Sequence, residues 1–263
     1  MGVKFETNFI VGRTASFDDL KEEGYKGFFV ASGAGLPRFM EIPGENYNGI
    51  LSSNEYLTRV NLMGASTSNT DTPVLRGKNV AVVGGGNTAM DSVRTALRLG
   101  AERAIIVYRR SEAEMPARIE EVHHAKEEGV EFMTLCNPLE YFADEKGRVN
   151  RMRLNRMGLG EPDASGRRRP MPIEGSEFEL DVNLVVVAVG VSPNPLVPSC
   201  LPDLKVTKWG TIVVDEDKMQ SSIPDMFAGG DIVRGGATVI LAMGDGRKAA
   251  ENMHLFLQKK SVN

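Results

Sequence analysis

Apolar residues gather in short runs that end on glycine at four points along the chain: Gly27-Phe28-Phe29-Val30-Ala31-Ser32-Gly33, Val80 to Val83 before Gly84, Leu184 to Val189 before Gly190, and Met226-Phe227-Ala228 before Gly229. A run of this length that is apolar at every position predicts a strand covered on both faces, and the glycine after it predicts a tight turn beside a ligand. Between the runs the period lengthens to that of a helix. Ala89, Met90, Val93, Ala96 and Leu97 share one face of a helix predicted over Thr88 to Leu99, with Asp91, Arg94 and Arg98 outward and Gly100 as its stop. A strand over Ala104 to Tyr108 completes a strand-helix-strand unit.

The remaining elements follow from the same patterns. Short strands are expected at Val3 to Glu6 and Phe9 to Val11, then a helix capped by Ser16 and closed by Gly24. Leu36 to Gly49 is expected to be loop, Asn54 to Leu62 a short helix and Met63 to Pro73 a linker, which puts a domain boundary near Leu75. Ser111 and Glu114 predict a capping box opening one continuous helix through Pro116 to Glu128. Val130 to Leu135 then forms a strand. Leu139 to Leu154 and Glu177 to Leu180 alternate like antiparallel strands around a polar loop, Gly158 to Gly175. After the Val191 to Pro195 turn, short strands through Val206 and Ile212 to Val214 lead to a long helix from about Thr238 to Gln258.

Composition narrows the class. The chain has 263 residues and a formal charge of −4, with 31 Lys and Arg against 35 Asp and Glu, so nothing favours a nucleic acid partner. With 41% hydrophobic and 25% charged residues it can bury a sizeable core. The longest apolar run is far below the roughly 18 residues a membrane span needs, and Lys4, Glu6 and Asn8 interrupt any leader-like stretch. A cytoplasmic location is the expectation. Cys136 and Cys200 are too far apart for a metal-ligating or redox pair.

The chemistry centres on Gly84-Gly85-Gly86-Asn87-Thr88-Ala89, a G-x-G-x-x-A turn placed after a strand and at the start of a helix. Gly84 permits the turn, Gly86 lets backbone approach a pyrophosphate, and Ala89 keeps the helix close to the sheet. Asn87 and Thr88 stand where side chains can add phosphate hydrogen bonds. At the end of the second strand, where NAD sites carry an acid, this chain has Arg109, Arg110 and Ser111. Two guanidinium groups and a hydroxyl suit a 2′-phosphate, so NADPH is expected over NADH. Gly229-Gly230-Asp231, Gly33, Gly190 and the helix glycines Gly244 and Gly246 suggest a second dinucleotide site, since a glycine inside a helix costs about 1 kcal/mol relative to alanine. The fold class is α/β, with a Rossmann-like NADP-binding domain over 76–190 and the segments 1–75 and 191–263 on either side of it.

Val83 to Asp91, Tyr108-Arg109-Arg110 with Met115-Pro116-Ala117, Ala188-Val189-Gly190, and Ala228-Gly229-Gly230-Asp231 through Ala237-Thr238-Val239 to Asp245-Gly246-Arg247-Lys248-Ala249-Ala250 resemble the small (beta) subunit family of NADPH-dependent glutamate synthase. The resemblance implies that the NADP domain is inserted into a partial, glutathione-reductase-like FAD-binding domain formed by 1–75 and 191–263, with Asp231 at the FAD ribityl or phosphate region and Thr238 and Val239 near the flavin. Gly33, Gly190 and Gly230 belong to the same cofactor surroundings, with Gly190 toward the nicotinamide. It implies NADPH oxidation through FAD to iron-sulfur centres, and a large-subunit-like or iron-sulfur partner. Family members carry an earlier G-x-G-x-x-G unit and a cysteine-rich domain that are not in this chain, which is therefore expected to be a fragment. Its FAD site is then incomplete, and a sheet edge is left for self-association. The alternatives are an independent small reductase that holds FAD, and a non-catalytic NADP(H)-binding module or assembly partner.

Other candidates carry less. His123 and His124 are adjacent on a helix and cannot share one metal. Glu112, Glu114, Glu120 and Glu121 suit a helix start, and Arg167-Arg168-Arg169 reads as a solvated loop.

Overall fold

The computed structural model describes residues 2–67 and 69–261. In chain order the first elements are α1 (Phe17–Glu22), β1 (Phe28–Val30), β2 (Leu36–Pro37), β3 (Ile50–Ser52), α2 (Ser53–Leu57), β4 (Asn79–Val83), α3 (Asn87–Arg98), β5 (Arg103–Tyr108), α4 (Ile119–Glu127) and β6 (Glu131–Thr134). They are followed by β7 (Cys136–Ala143), β8 (Val149–Pro162), β9 (Arg168–Pro172), β10 (Phe178–Asp181), β11 (Leu184–Val187) and β12 (Val191–Ser192). The last are α5 (Leu196–Ser199), β13 (Val214–Asp215), β14 (Gln220–Ser221), β15 (Met226–Ala228), α6 (Asp231–Arg234) and α7 (Val239–Ser261). These elements fall into two compact units, one spanning Pro37–Gly190 and the other combining the segments before and after it.

The central unit is built on a five-stranded sheet in the order β3-β11-β4-β5-β6, parallel throughout. Its inner strands are apolar at successive positions because both faces are covered. Val80, Val82, Ala104 and Ile106 join Ala89, Met90 and Val93 of α3 and Val122 and Ala125 of α4 in one core cluster. Ala81, Val83, Ile105 and Val107 face the other way, onto Tyr141, Met152, Leu154 and Leu180 of the antiparallel β10-β8-β7 sheet. Each fully buried Val or Ile of this kind contributes about 1.5–3 kcal/mol relative to exposure, so the two-faced strands stabilise the unit and hold the turns at their C-terminal ends.

The outer unit has a four-stranded sheet ordered β1-β15-β14-β13. Phe17 of α1 stacks edge-on to Phe28 of β1 at 5.3 Å between ring centroids, over a core that includes Ile212, Met226, Ala228 and Ile232. On the opposite face Phe227 packs with Ala249 and Phe256 of α7. β1 stands at the end of this sheet, hydrogen-bonded to β15 alone among the described residues, and Phe29 is 40% exposed.

Four expectations are corrected. The first boundary lies after Leu36, not near Leu75, because β3 pairs with β11 and Tyr56 and Val60 enter the central core. Ser68, in the expected linker, lies outside the described residues, as do Met1, Val262 and Asn263. No strand forms at Val3 to Glu6 or Phe9 to Val11, and Val3 and Phe5 are 73% and 88% exposed, with no core to enter. The predicted continuous helix from Ser111 is interrupted: the capping box closes one 3-10 turn, Glu112–Glu114, and Met115 before Pro116 is extended at φ −66° and ψ 129°. A residue before proline disfavours helical backbone, so α4 starts only at Ile119. The polar loop Gly158 to Gly175 is instead a hairpin of β8 and β9.

Candidate nucleotide-binding site

The turn after β4 is shaped glycine by glycine. Gly84 has φ +143°, and a Cβ there would lie 2.3 Å from the Ala188 carbonyl oxygen. A Cβ on Gly85 would meet the Tyr108 ring at 2.7 Å. Gly86 differs: its φ of −91° suits any residue, and the nearest atom to an added Cβ is Pro116 Cγ at 4.0 Å. The first two glycines are therefore required by the protein's own packing, whereas the third keeps its face clear. Gly86 is the N-cap of α3 and supplies no side-chain cap, so the first N–H groups of that helix point outward with its positive dipole end. Ala89 is fully buried in the sheet-facing core. The Asn87 amide oxygen accepts a hydrogen bond from Arg118 N–H at 2.9 Å, so it is committed within the protein, while Thr88 is exposed.

The two arginines at the end of β5 part company. Arg109 is exposed and has no hydrogen bond or ion pair among the described residues. Arg110 is 6% exposed, donates from Nε to the Arg168 carbonyl oxygen at 2.8 Å and pairs through Nη2 with Asp163 at 2.7 Å. The expectation that both present guanidinium groups to a 2′-phosphate is corrected: Arg110 ties β5 to the β8–β9 hairpin. The Asp163 carboxyl is held below its ordinary value by hydrogen bonds from Ser165, reinforced by Arg110. The Ser111 hydroxyl bonds to the Glu114 carboxylate within its capping box and is likewise committed. Arg110→Ala is expected to lower stability by about 2–3 kcal/mol, the scale of lost charge-assisted hydrogen bonds. Urea unfolding checks this, and an unchanged midpoint would contradict the tie.

In the outer unit Gly230 has φ +75°, and its N–H donates to Asp245 at 3.0 Å. Asp245, 3% exposed, also receives two bonds from Arg234. Asp231 accepts from Ala237 N–H at 3.1 Å, fixing the loop that enters α7, and Thr238 caps that helix through Leu241 N–H at 3.4 Å. The first turns of α7 are uncovered, with Val239 75% and Ile240 81% exposed. No atom lies within 4 Å of where a Cβ would stand on Gly33, Gly35, Gly244 or Gly246. The same is true of Gly190, at φ +109°.

The Asp245 carboxyl is held below the ordinary carboxylate value, first by Arg234 and then by Gly230 N–H, against desolvation. Its contribution to stability is therefore complete above the unfolded value of about 3.9 and is lost as pH falls through the depressed folded value. Asp245→Asn should flatten that part of the acid limb of a Tm-against-pH curve, and an unaltered slope would contradict the assignment.

Sequence reasoning missed Arg118 and the place of Met115-Pro116-Ala117 beside the turn. The available signals were the Met115-Pro116-Ala117 motif and Pro116 itself, which interrupts the predicted helix. Among the described residues no cluster of three metal-ligating side chains occurs, and no helix is long and apolar enough to cross a membrane.

A parallel sheet carrying a G-x-G-x-x-A turn into a helix defines a dinucleotide-binding α/β protein. A model of the pyridine nucleotide-disulphide oxidoreductase family matches residues 3–246, and the chain belongs to that family. It is 41% identical over 266 residues to the glutamate synthase [NADPH] small chain of Azospirillum brasilense, covering 99% of this chain and 54% of that one. It is 42% identical over 266 residues to the NADP(+)-dependent formate dehydrogenase subunit beta of Moorella thermoacetica, covering 100% of this chain and 36% of that one. The chain thus spans about half or less of these relatives. FprA from Mycobacterium tuberculosis shares the fold with a TM-score of 0.77 at 22% identity, over 97% of this chain and 68% of that one.

Proposed function

We propose that this chain is the NADPH-binding part of a flavoprotein oxidoreductase similar to the glutamate synthase small chain. The pyrophosphate lies on Gly84 to Ala89 and the 2′-phosphate on Arg109. The observation that carries this is Arg109, an exposed, unpaired cation at the strand end where a carboxylate would select NAD. The whole-chain matches to relatives named for NADPH and NADP(+) support the same reading.

The outer unit fits one part of FAD. Gly230, Asp231, Thr238 and Val239 bring a positive-φ turn and an uncovered helix start together, and a flat ring can lie where Gly244 and Gly246 present no side chain. When bound, FAD supplies the acceptor for hydride from NADPH. The protein's own residues position and orient the nucleotides, and no general acid or base is assigned. An iron-sulfur or large-subunit-like partner would take up the electrons; that relatives are named as a small chain and a subunit beta supports a partner subunit.

Titration with NADPH and NADH, followed by calorimetry and by absorbance after adding FAD, tests the reading. Tighter NADPH binding with a flavin spectrum that bleaches is the expected result. Equal affinity for both nucleotides would overturn the NADPH assignment. NADPH binding without turnover would identify a non-catalytic binding module instead.

A further inference from the structure

The Met115–Arg118 segment is bound to the glycine turn by its backbone. Ala117 N–H donates to the Gly85 carbonyl oxygen at 3.1 Å, and Arg118 N–H to the Asn87 amide oxygen at 2.9 Å. One step upstream the Tyr108 hydroxyl donates to the Glu114 carbonyl oxygen at 2.8 Å, and the same Tyr108 ring fills the space beside Gly85. A segment anchored at these points is set against the first residue of α3, where the outward N–H groups begin.

Its last residue is a cation. The Arg118 side chain is 69% exposed and meets Glu121 at 2.8 Å. Glu121, 17% exposed, is also held by Arg94 at 2.9 Å. An exposed ion pair is worth about 1 kcal/mol or less, so little holds Arg118 on Glu121, and a guanidinium forms charge-assisted, bidentate bonds to a phosphate as readily as to a carboxylate. Arg118 can therefore exchange Glu121 for a phosphate at little cost, and Glu121 keeps Arg94 and is not left without a partner.

We propose that Arg118 is a further cofactor-binding residue of the nucleotide site, which grips the pyrophosphate shared by NADPH and NADH. This rests on the NADPH reading above and assigns a second cation to the same site. Arg109, at the end of β5, distinguishes the 2′-phosphate, and Arg118, tied to Asn87, serves either nucleotide. The two arginines thus separate selectivity from affinity.

Calorimetric titration of the full chain with NADPH and with NADH, for the wild type, Arg118→Ala and Arg118→Lys, tests this. Arg118→Ala should weaken both nucleotides about tenfold, leave their ratio unchanged and leave Tm unaltered. Arg118→Lys should recover part of the loss, because the charge returns without the planar fork. Unchanged affinities in Arg118→Ala, or a loss confined to NADPH, would overturn the proposal while leaving the NADPH reading in place. A wild-type chain that binds neither nucleotide would overturn both.

Discussion

Gly84→Ala and Gly86→Ala, two substitutions of the same size two residues apart, should fail in different ways. At Gly84 the new Cβ is placed 2.3 Å from the Ala188 carbonyl oxygen on a backbone with φ +143°. Backbone strain of about 1–3 kcal/mol and a similar cost of overpacking add to about 4 kcal/mol, a large share of the roughly 5–15 kcal/mol that holds a domain together. A fall in Tm of about 10 °C is expected on the usual scaling for a chain of this size. At Gly86 neither cause operates, since φ is −91° and nothing stands closer than 4.0 Å. Gly86→Ala should melt within a few degrees of the wild type, since alanine is a poorer N-cap than glycine by about 1 kcal/mol or less, and lose nucleotide affinity by about a hundredfold, because the methyl group occupies the approach of the pyrophosphate. Thermal melting and calorimetry on the same samples separate the two. If Gly86→Ala binds NADPH as tightly as the wild type, the pyrophosphate does not lie on this turn.

Arg109→Ala is expected to weaken NADPH by 10- to 100-fold and to leave NADH unchanged, so the preference disappears. A charge-assisted contact to the 2′-phosphate is worth about 1.5–3 kcal/mol, and each 1.4 kcal/mol is tenfold in affinity. The neighbouring arginine is the control. Arg110 spends its guanidinium on Asp163 and the Arg168 carbonyl oxygen, so its replacement should move the unfolding midpoint rather than the nucleotide ratio. A wild-type chain without preference, or a loss shared equally by NADPH and NADH in Arg109→Ala, would remove the 2′-phosphate from Arg109. At higher ionic strength the preference should shrink, since an exposed arginine is screened within about a Debye length.

The nucleotide turn was readable because its signal is local. A strand apolar at every position, three glycines and an amphipathic helix lie within 20 consecutive residues, Asn79 to Arg98. Each constrains backbone that is adjacent in sequence. The later segments were readable for the same reason, with β11 and β15 apolar throughout and α7 forming over the predicted region. The two arginines had no such local cue. Arg109 and Arg110 follow the last residue of β5, and which of them meets solvent depended on the β8–β9 hairpin, whose Asp163 lies 53 positions from Arg110. That hairpin itself was hidden by its composition of Gly, Pro and Arg, which argues against a strand until β8 supplies the partner.

Sequence alone determined the α/β class, the strand-to-helix glycine turn at Gly84 to Ala89 and the cationic character of the strand end, since each rests on backbone freedom, periodicity or charge among near neighbours. Tertiary structure alone decided that residues after Leu36 join the central unit, because β3 has three residues and becomes a strand only by pairing with β11. It also decided that Arg109 rather than Arg110 faces outward, and that Arg118 meets Asn87 beside the turn. In each case the deciding contact joins residues distant along the chain, and the free energy of that contact is absent from any local pattern.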